Sequence, residues 1–304
     1  MIVARADHPE AGTRAATRCL DVCAKALAAS VFVAECVCDR PFAPVIIRVM
    51  RWELFSQITR KLVAVREFEP QRDAARYAEQ LLLSHPDLFA RLEGGAASVA
   101  ARMAARTIAT DHLREICELP HAVAELQSSM DNSTMGAGER LVRVAALAYL
   151  VCENDLIRDD LPAGFGLVDD CIVLRAARLA TANVLGTDHF TEDLTTVHYL
   201  SVAIDDALLP SIEAALALAA ELELRTRPLP DAIVERAIYE LIENPPTDYP
   251  PPLLLPDYTP TRVTDSPLLL SAGQIVETDT GLIVIEFRDG TQIRRNRDAT
   301  LEYL

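Results

Sequence analysis

The first half of the chain repeats apolar residues at the spacing of an amphipathic helix. In one segment they recur every three or four residues, at Ile47, Met50, Leu54, Ile58 and Leu62. This spacing forms one stripe along a helix, and the neighbouring basic residues Arg60 and Lys61 are expected on other faces. Similar patterns predict helices over 13–38, 69–84, 86–92 and 96–119, with a further short helix starting at Pro120.

The second half continues the helical pattern and then changes period. Small polar residues over 128–138 favour a loop, because their side chains compete for backbone hydrogen bonds. Helical spacing returns over 139–153, 168–185, 191–207, 210–224 and 230–242. Eight of the 18 prolines lie between Pro245 and Pro267, which predicts an extended segment. Three short strands are then predicted, over Gln274–Thr278, Leu282–Phe287 and Thr291–Arg295.

These patterns predict a mainly α protein, a multi-helix bundle with a small C-terminal antiparallel β-meander. The expected parts are an N-terminal helical region over 1–127, an acidic helical region over 139–243, a Pro-rich linker over 245–267 and the meander over 268–304. Three short strands are marginally stable alone, so the meander is expected to dock on the helices or on something else. Ile283 and Ile285 of its middle strand are therefore candidates for contact with a partner.

Composition and charge narrow the class of protein. The chain has 304 residues, of which 50% are hydrophobic, and this excludes a disordered or collagen-like chain. Residues 1–118 carry 16 basic and 15 acidic side chains, whereas residues 119–304 carry 13 basic and 30 acidic ones. The acidic second half disfavours direct binding to nucleic acid or an anionic membrane. It suits a basic protein partner or divalent cations, although solubility alone also explains it.

The cysteines and the apolar runs indicate a cytoplasmic protein with no membrane span. Seven cysteines in a chain of this length, without a signal-peptide pattern, favour free thiols in a reducing compartment. Cys19, Cys23, Cys36 and Cys38 are candidate ligands for a zinc site, but a role as small core residues is the favoured interpretation. The longest apolar runs are shorter than the roughly 18 residues that a membrane span needs.

A cluster of acidic residues between two predicted helices is the main candidate for chemistry. Six carboxylates lie within residues 153–170. Asp155, Asp159, Asp169 and Asp170 supply the hard oxygen ligands that Mg²⁺ or Ca²⁺ prefers. The structural alternative is that Asp169 and Asp170 cap the next helix and place negative charge in its first turn, while Asp159 or Asp160 closes a turn.

Residues 139–180 resemble the YkvA-like family of small bacterial helical domains. The resemblance rests on an apolar helix followed by Asp155-Leu156-Ile157, Asp159, Leu161-Pro162, Gly166 and Asp169-Asp170. Two departures are Arg158, where the family usually has proline, and one extra residue between Pro162 and Asp169. The resemblance implies a helical hairpin rather than a reaction, because the family has no established activity.

The sequence supports two alternative functions. The favoured hypothesis is a non-catalytic interaction or regulatory subunit of a bacterial multiprotein system, such as one for antiviral defence or stress. Its expected partner contacts are Asp155, Asp159, Asp160, Asp169, Asp170, Ile283 and Ile285, and no catalytic residue or cofactor is assigned. The alternative is a divalent-metal-dependent hydrolase that uses Asp155, Asp159, Asp169 and Asp170. No sequence motif for a nucleotide-binding loop, a zinc protease or a serine hydrolase was found.

Overall fold

The computed structural model describes the chain from residue 53 onwards, with gaps. The described residues are 53–130, 135–152, 157–181, 190–205, 207–208, 230–245, 271, 273–279 and 281–304. The predicted helices over 13–38 and 210–224, the four cysteines of the N-terminal region and all but the first residue of the predicted Pro-rich linker lie outside these ranges.

The protein is mainly α-helical, with a small antiparallel sheet at its C-terminal end. The described α-helices are α1 Glu53–Val65, α2 Pro70–Ser84, α3 Val99–Cys117, α4 Leu119–Met130, α5 Ala137–Leu150, α6 Val168–Ala180, α7 Phe190–Leu200 and α8 Asp231–Glu243. Short 3-10 turns cover Pro86–Phe89, Gly95–Ala97 and Ser201–Ala203. The fold class expected from the hydrophobic pattern is confirmed.

Local chemistry explains where several helices begin. Pro70 occupies the first turn of α2, where its missing N–H costs no helical hydrogen bond. The Ser98 hydroxyl caps α3 by accepting a hydrogen bond from the Ala101 N–H at 3.0 Å. At the start of α5, the Glu139 carboxylate accepts from the Gly136 N–H at 2.9 Å.

The helices pack around one continuous apolar core. Helices α2 and α3 form an antiparallel hairpin, α5 lies between α6 and α8, and α1 packs against α8. Leu54 and Ile58 of α1 are buried, as the predicted stripe requires, and Val65 at the end of the helix is buried too. No helix in the described ranges is both long enough and apolar enough to cross a membrane.

Four strands form an antiparallel meander in the order β1-β2-β3-β4, with β1 Gln274–Asp279, β2 Leu282–Glu286, β3 Gln292–Arg295 and β4 Leu301–Tyr303. The three predicted strands are confirmed, and β4 was not predicted. It is only three residues long, which is too short for alternation of apolar and polar residues to identify a strand. Ile283 pairs with Arg295, and Ile285 pairs with Ile293.

One face of the sheet is part of the hydrophobic core. Ile275, Ile283, Ile285 and Ile293 are each at most 1% exposed and belong to the same cluster as the helical residues. Strand β1 contacts the turn at Pro86–Phe89, and β4 contacts α7. The meander therefore docks on its own helices, which was one of the two outcomes expected from its apolar middle strand.

Candidate functional site

Lys61 lies on the buried stripe of α1 rather than on another face. It follows Leu54 by seven residues, so two helical turns bring it to the same side. Its side chain is 13% exposed. The expectation that Lys61 lies away from the apolar stripe was wrong, because the stripe is wide enough to include this position as well as Leu62.

Lys61 joins two carboxylates that belong to different parts of the chain. Its Nζ lies 2.9 Å from Oδ2 of Asp159, in the segment before α6, and 2.7 Å from Oδ2 of Asp170, in the first turn of α6. The Asp170 side chain is fully buried, whereas that of Asp159 is 31% exposed. The lysine thus ties α1, the acidic segment and α6 together.

Asp169 lies beside Asp170 and is held by different donors. The Tyr149 hydroxyl of α5 donates to its Oδ2 at 2.6 Å, and the Ile157 N–H donates to the same oxygen at 3.1 Å. Both hydrogen bonds favour the ionised carboxylate. Together with Lys61 and Asp159, the two aspartates form what we call the acidic–lysine cluster, defined as Lys61, Asp159, Asp169 and Asp170.

Two oxygens of the acidic–lysine cluster have no donor. Within the described part of the chain, Oδ1 of Asp169 and Oδ1 of Asp170 are buried and accept no hydrogen bond. Buried polar atoms almost always have a partner, and leaving one without a partner costs about 1 to 3 kcal/mol. A purely structural ion pair would not be expected to leave these two buried oxygens without a hydrogen-bond donor.

Burial dominates the electrostatics of both aspartates. It raises the pKa of Asp169 to about 6, against the opposing effects of the Tyr149 and Ile157 hydrogen bonds. Burial also raises the pKa of Asp170 well above its ordinary value, and the neighbouring Asp169 and Asp159 charges add to this, while Lys61 lowers it. One ammonium does not offset three carboxylates.

The segment that carries Asp159 is fixed by close backbone packing. A Cβ atom on Gly166 would lie 2.1 Å from the Arg158 carbonyl oxygen, so only glycine allows this contact. Gly164 has a φ of +80°, in the left-handed region that favours glycine. These glycines allow the chain to fold back beneath Asp159 before α6 begins.

A second charged site joins the sheet to the helices, and we call it the Asp111–Arg295 clasp. Arg295 of β3 donates to Asp111 of α3 through Nε at 2.7 Å and Nη2 at 3.0 Å. Asp111 also accepts from Arg114 Nη1 at 2.9 Å and from the Tyr199 hydroxyl at 3.2 Å. Arg295 Nη1 donates to the Gly281 carbonyl at 2.6 Å.

His112, next to Asp111, is a buried neutral histidine. Burial lowers its pKa to about 4. The Tyr77 hydroxyl lies 2.7 Å from its Nδ1, and the Tyr199 carbonyl lies 3.2 Å from its Nε2. A carbonyl only accepts, so Nε2 carries the proton and Nδ1 accepts from Tyr77. This histidine connects α2, α3 and α7.

The structure assembles only part of the predicted site. Asp159, Asp169 and Asp170 come together as expected, while Asp155 lies outside the described residues. Asp160 is separate from them, with its side chain 64% exposed and paired with Arg158. Asp169 and Asp170 lie in the first turn of α6, as the capping alternative expected, but Leu167 occupies the N-cap position.

Four of the predicted partner contacts are corrected by their burial. Asp169 and Asp170 are 0% exposed, and Ile283 and Ile285 are at most 1% exposed. The aspartates face Lys61 and Tyr149, and the isoleucines face the hydrophobic core. These side chains therefore do not form a surface for another macromolecule.

The described residues give no set of metal ligands at this place. No group of three or more His, Cys, Asp or Glu side chains in the described ranges is arranged to hold a metal ion. The Lys61 ammonium occupies the position between Asp159 and Asp170 that a cation would take. Cys117, Cys152 and Cys171 are free thiols, as expected for the cysteines within these ranges.

Sequence reasoning missed Lys61, Tyr149 and the Asp111–Arg295 clasp. A signal existed for Lys61, since a charged residue on an apolar stripe is unusual. For the clasp no signal existed, because 184 positions separate its two residues.

Comparisons with protein-family models, with curated proteins and with solved structures find no match to this chain. The resemblance of residues 139–180 to the YkvA-like family stays a prediction.

Proposed function

We propose that this protein is a non-catalytic protein-binding or regulatory subunit that recruits a basic partner through the edge of strand β1. The single observation that carries the proposal is the position of β1 at the edge of a sheet that is fixed to the helical body. An edge strand presents unpaired backbone groups, and adding a partner's strand there is a common mode of peptide recognition.

The fixed position of the sheet supports this proposal. The Asp111–Arg295 clasp and the buried isoleucines hold β2 and β3 on the helices, so the order of β1 does not depend on a partner. A partner strand then binds a preformed template, which lowers the entropic cost of association.

Charge supports the choice of a basic partner. Glu277 and Asp279 are exposed acidic side chains on β1. The second half of the chain, in which β1 lies, has 30 acidic and 13 basic residues, and this excess accelerates encounter with a positively charged protein.

Site-specific photo-crosslinking tests the proposal. A benzophenone side chain replaces Glu277 on β1, and the matched control carries it at Glu243, which is also exposed but lies at the end of α8. In an extract of the source organism, we expect one protein to crosslink at position 277 and not at 243, and the Glu277→Lys variant to bind that purified protein at least tenfold more weakly. Equal crosslinking at both positions, or none at either, would contradict the proposal.

Deletion of residues 268–304 is a poor substitute for this experiment. The deletion would remove the four buried isoleucines of the sheet and expose the apolar surface beneath them. Loss of binding would then report loss of folding.

A further inference from the structure

We propose that the acidic–lysine cluster is a proton-binding site that keeps a proton on the Asp169–Asp170 pair and couples pH to the attachment of α1 and the 157–167 segment to α6. The inference does not depend on the proposed function, because the cluster lies in the helical body and the β1 edge lies in the sheet. It rests on the geometry of four side chains and on their charge balance.

Among the described residues, the charges of the acidic–lysine cluster do not balance. Lys61 pairs with Asp159 and Asp170, Asp169 lies next to this pair, and both Asp169 and Asp170 are completely buried. With all groups ionised, the cluster would carry two net negative charges, most of them out of water. Burying uncompensated charge costs far more than binding a proton, so the buried carboxylates take up protons instead.

The hydrogen bonds show where the proton can reside. Oδ1 of Asp169 and Oδ1 of Asp170 have no donor in the described residues, so a proton on either oxygen displaces no existing hydrogen bond. The other oxygen of Asp169 is used by Tyr149 and Ile157, and that of Asp170 is used by Lys61. The raised pKa of both aspartates agrees with this assignment.

In the described ranges, the groups that act on the Asp169–Asp170 pair come from three elements besides α6. Lys61 approaches from α1 and favours ionisation, and Asp159 approaches from the preceding segment and opposes it. Tyr149 of α5 donates to Asp169. On α6 itself, the next residue Cys171 is buried with a raised pKa and is therefore an uncharged thiol near neutral pH.

The pH dependence has a definite sign. The folded state binds a proton more tightly than the unfolded chain, because folding raises the pKa of these carboxyl groups above the ordinary value of 3.8. Stability from this source is complete below about pH 4. It is lost as pH rises through the folded-state pKa values, and that of Asp169 is about 6.

Urea unfolding of the full chain between pH 5 and pH 8 tests the proposal. Asp170→Asn removes one titrating group and keeps the shape, and Asp160→Asn is the control because Asp160 is an exposed aspartate of the same segment. We expect the ratio of the unfolding constants, wild type over Asp170→Asn, to rise at least tenfold from pH 5 to pH 8. The ratio against Asp160→Asn should change less than twofold.

Carbon-13 NMR of the aspartate carboxyl groups in the wild type provides a test that needs no variant. We expect at least one carboxyl signal to stay in the protonated range at pH 5.5, where exposed aspartates are ionised. If every aspartate signal is ionised at that pH, or if the stability ratio does not change with pH, the proposal is wrong. A Mg²⁺- or Ca²⁺-dependent rise in melting temperature that is lost in Asp170→Asn would also overturn it, since a metal would then supply the missing charge.

Discussion

Two charged sites in the described part of the chain, the Asp111–Arg295 clasp and the acidic–lysine cluster, differ in how completely their groups are paired. In the Asp111–Arg295 clasp, both oxygens of one carboxylate accept hydrogen bonds, and the arginine also donates to backbone carbonyls. In the acidic–lysine cluster as the described residues show it, one ammonium pairs with two of the three carboxylates, and two buried oxygens have no donor.

This difference separates a structural contact from a candidate functional one. A bidentate Arg–carboxylate pair whose carboxylate oxygens all accept hydrogen bonds fixes two elements in one geometry. An unbalanced cluster keeps a cost that only a proton or another cation removes. Residues whose environment shifts their pKa toward neutrality in this way are frequent at functional sites.

Breaking the clasp should have the largest effect. Arg295→Met keeps the apolar stem but leaves Asp111 with fewer donors, in a site where the two side chains are 8% and 12% exposed. We expect a loss of about 3 kcal/mol in the free energy of unfolding, measured with urea. The loss should be the same at pH 6 and pH 8, because Asp111 raises the pKa of Arg295 and the arginine stays charged.

The control for this measurement is Arg297→Met. Arg297 is two residues away and pairs with Asp279, but its side chain is 67% exposed. A surface pair of this kind is worth less than about 1 kcal/mol. If both variants lose the same stability, the clasp is no stronger than a surface ion pair.

A substitution at Gly166, which packs against the segment that carries Asp159, should have the next largest effect on stability. Gly166→Ala places a Cβ against the Arg158 carbonyl and pushes the segment that carries Asp159 away from Lys61. We expect a loss of about 2 to 3 kcal/mol by urea unfolding. Gly290→Ala is the comparison, since its φ of +90° is strained but no atom lies near its Cβ, so about 1 kcal/mol is expected there.

Much of the fold follows from local pattern. The stripe at Leu54 and Ile58 predicts α1, and the short apolar run over 282–285, bounded by turn residues, predicts β2. Helix ends were predicted less well: the helix expected over 191–207 ends at Leu200, where Ser201–Ala203 forms a 3-10 turn. Ends depend on packing at the last turn, and the pattern of apolar residues does not record it.

The candidate site was only half predictable. Asp159, Asp169 and Asp170 were identified because acidic residues within 12 positions of each other stand out in the sequence. Their meeting with Lys61 depends on how α1 packs, about 100 residues earlier in the chain, and no local pattern gives this. Without Lys61, the aspartates resemble a metal site or an acidic surface, and those were the two hypotheses that the sequence supported.

The Tyr149→Phe substitution should have the smallest effect on stability, and its pH dependence tests the acidic–lysine cluster directly. Tyr149→Phe removes the hydroxyl that donates to Asp169, and the hydrogen bond is stronger when Asp169 is ionised. Because the pKa of Asp169 is about 6, the loss in unfolding free energy should be about 2 kcal/mol at pH 8 and about 1 kcal/mol at pH 5.

Tyr77→Phe is the matched control, since this equally buried hydroxyl donates to His112, whose pKa of about 4 keeps it neutral at both pH values. Its loss should be about 1 kcal/mol throughout, and a Tyr149→Phe loss that is equally flat would show that Asp169 does not change its charge in this range.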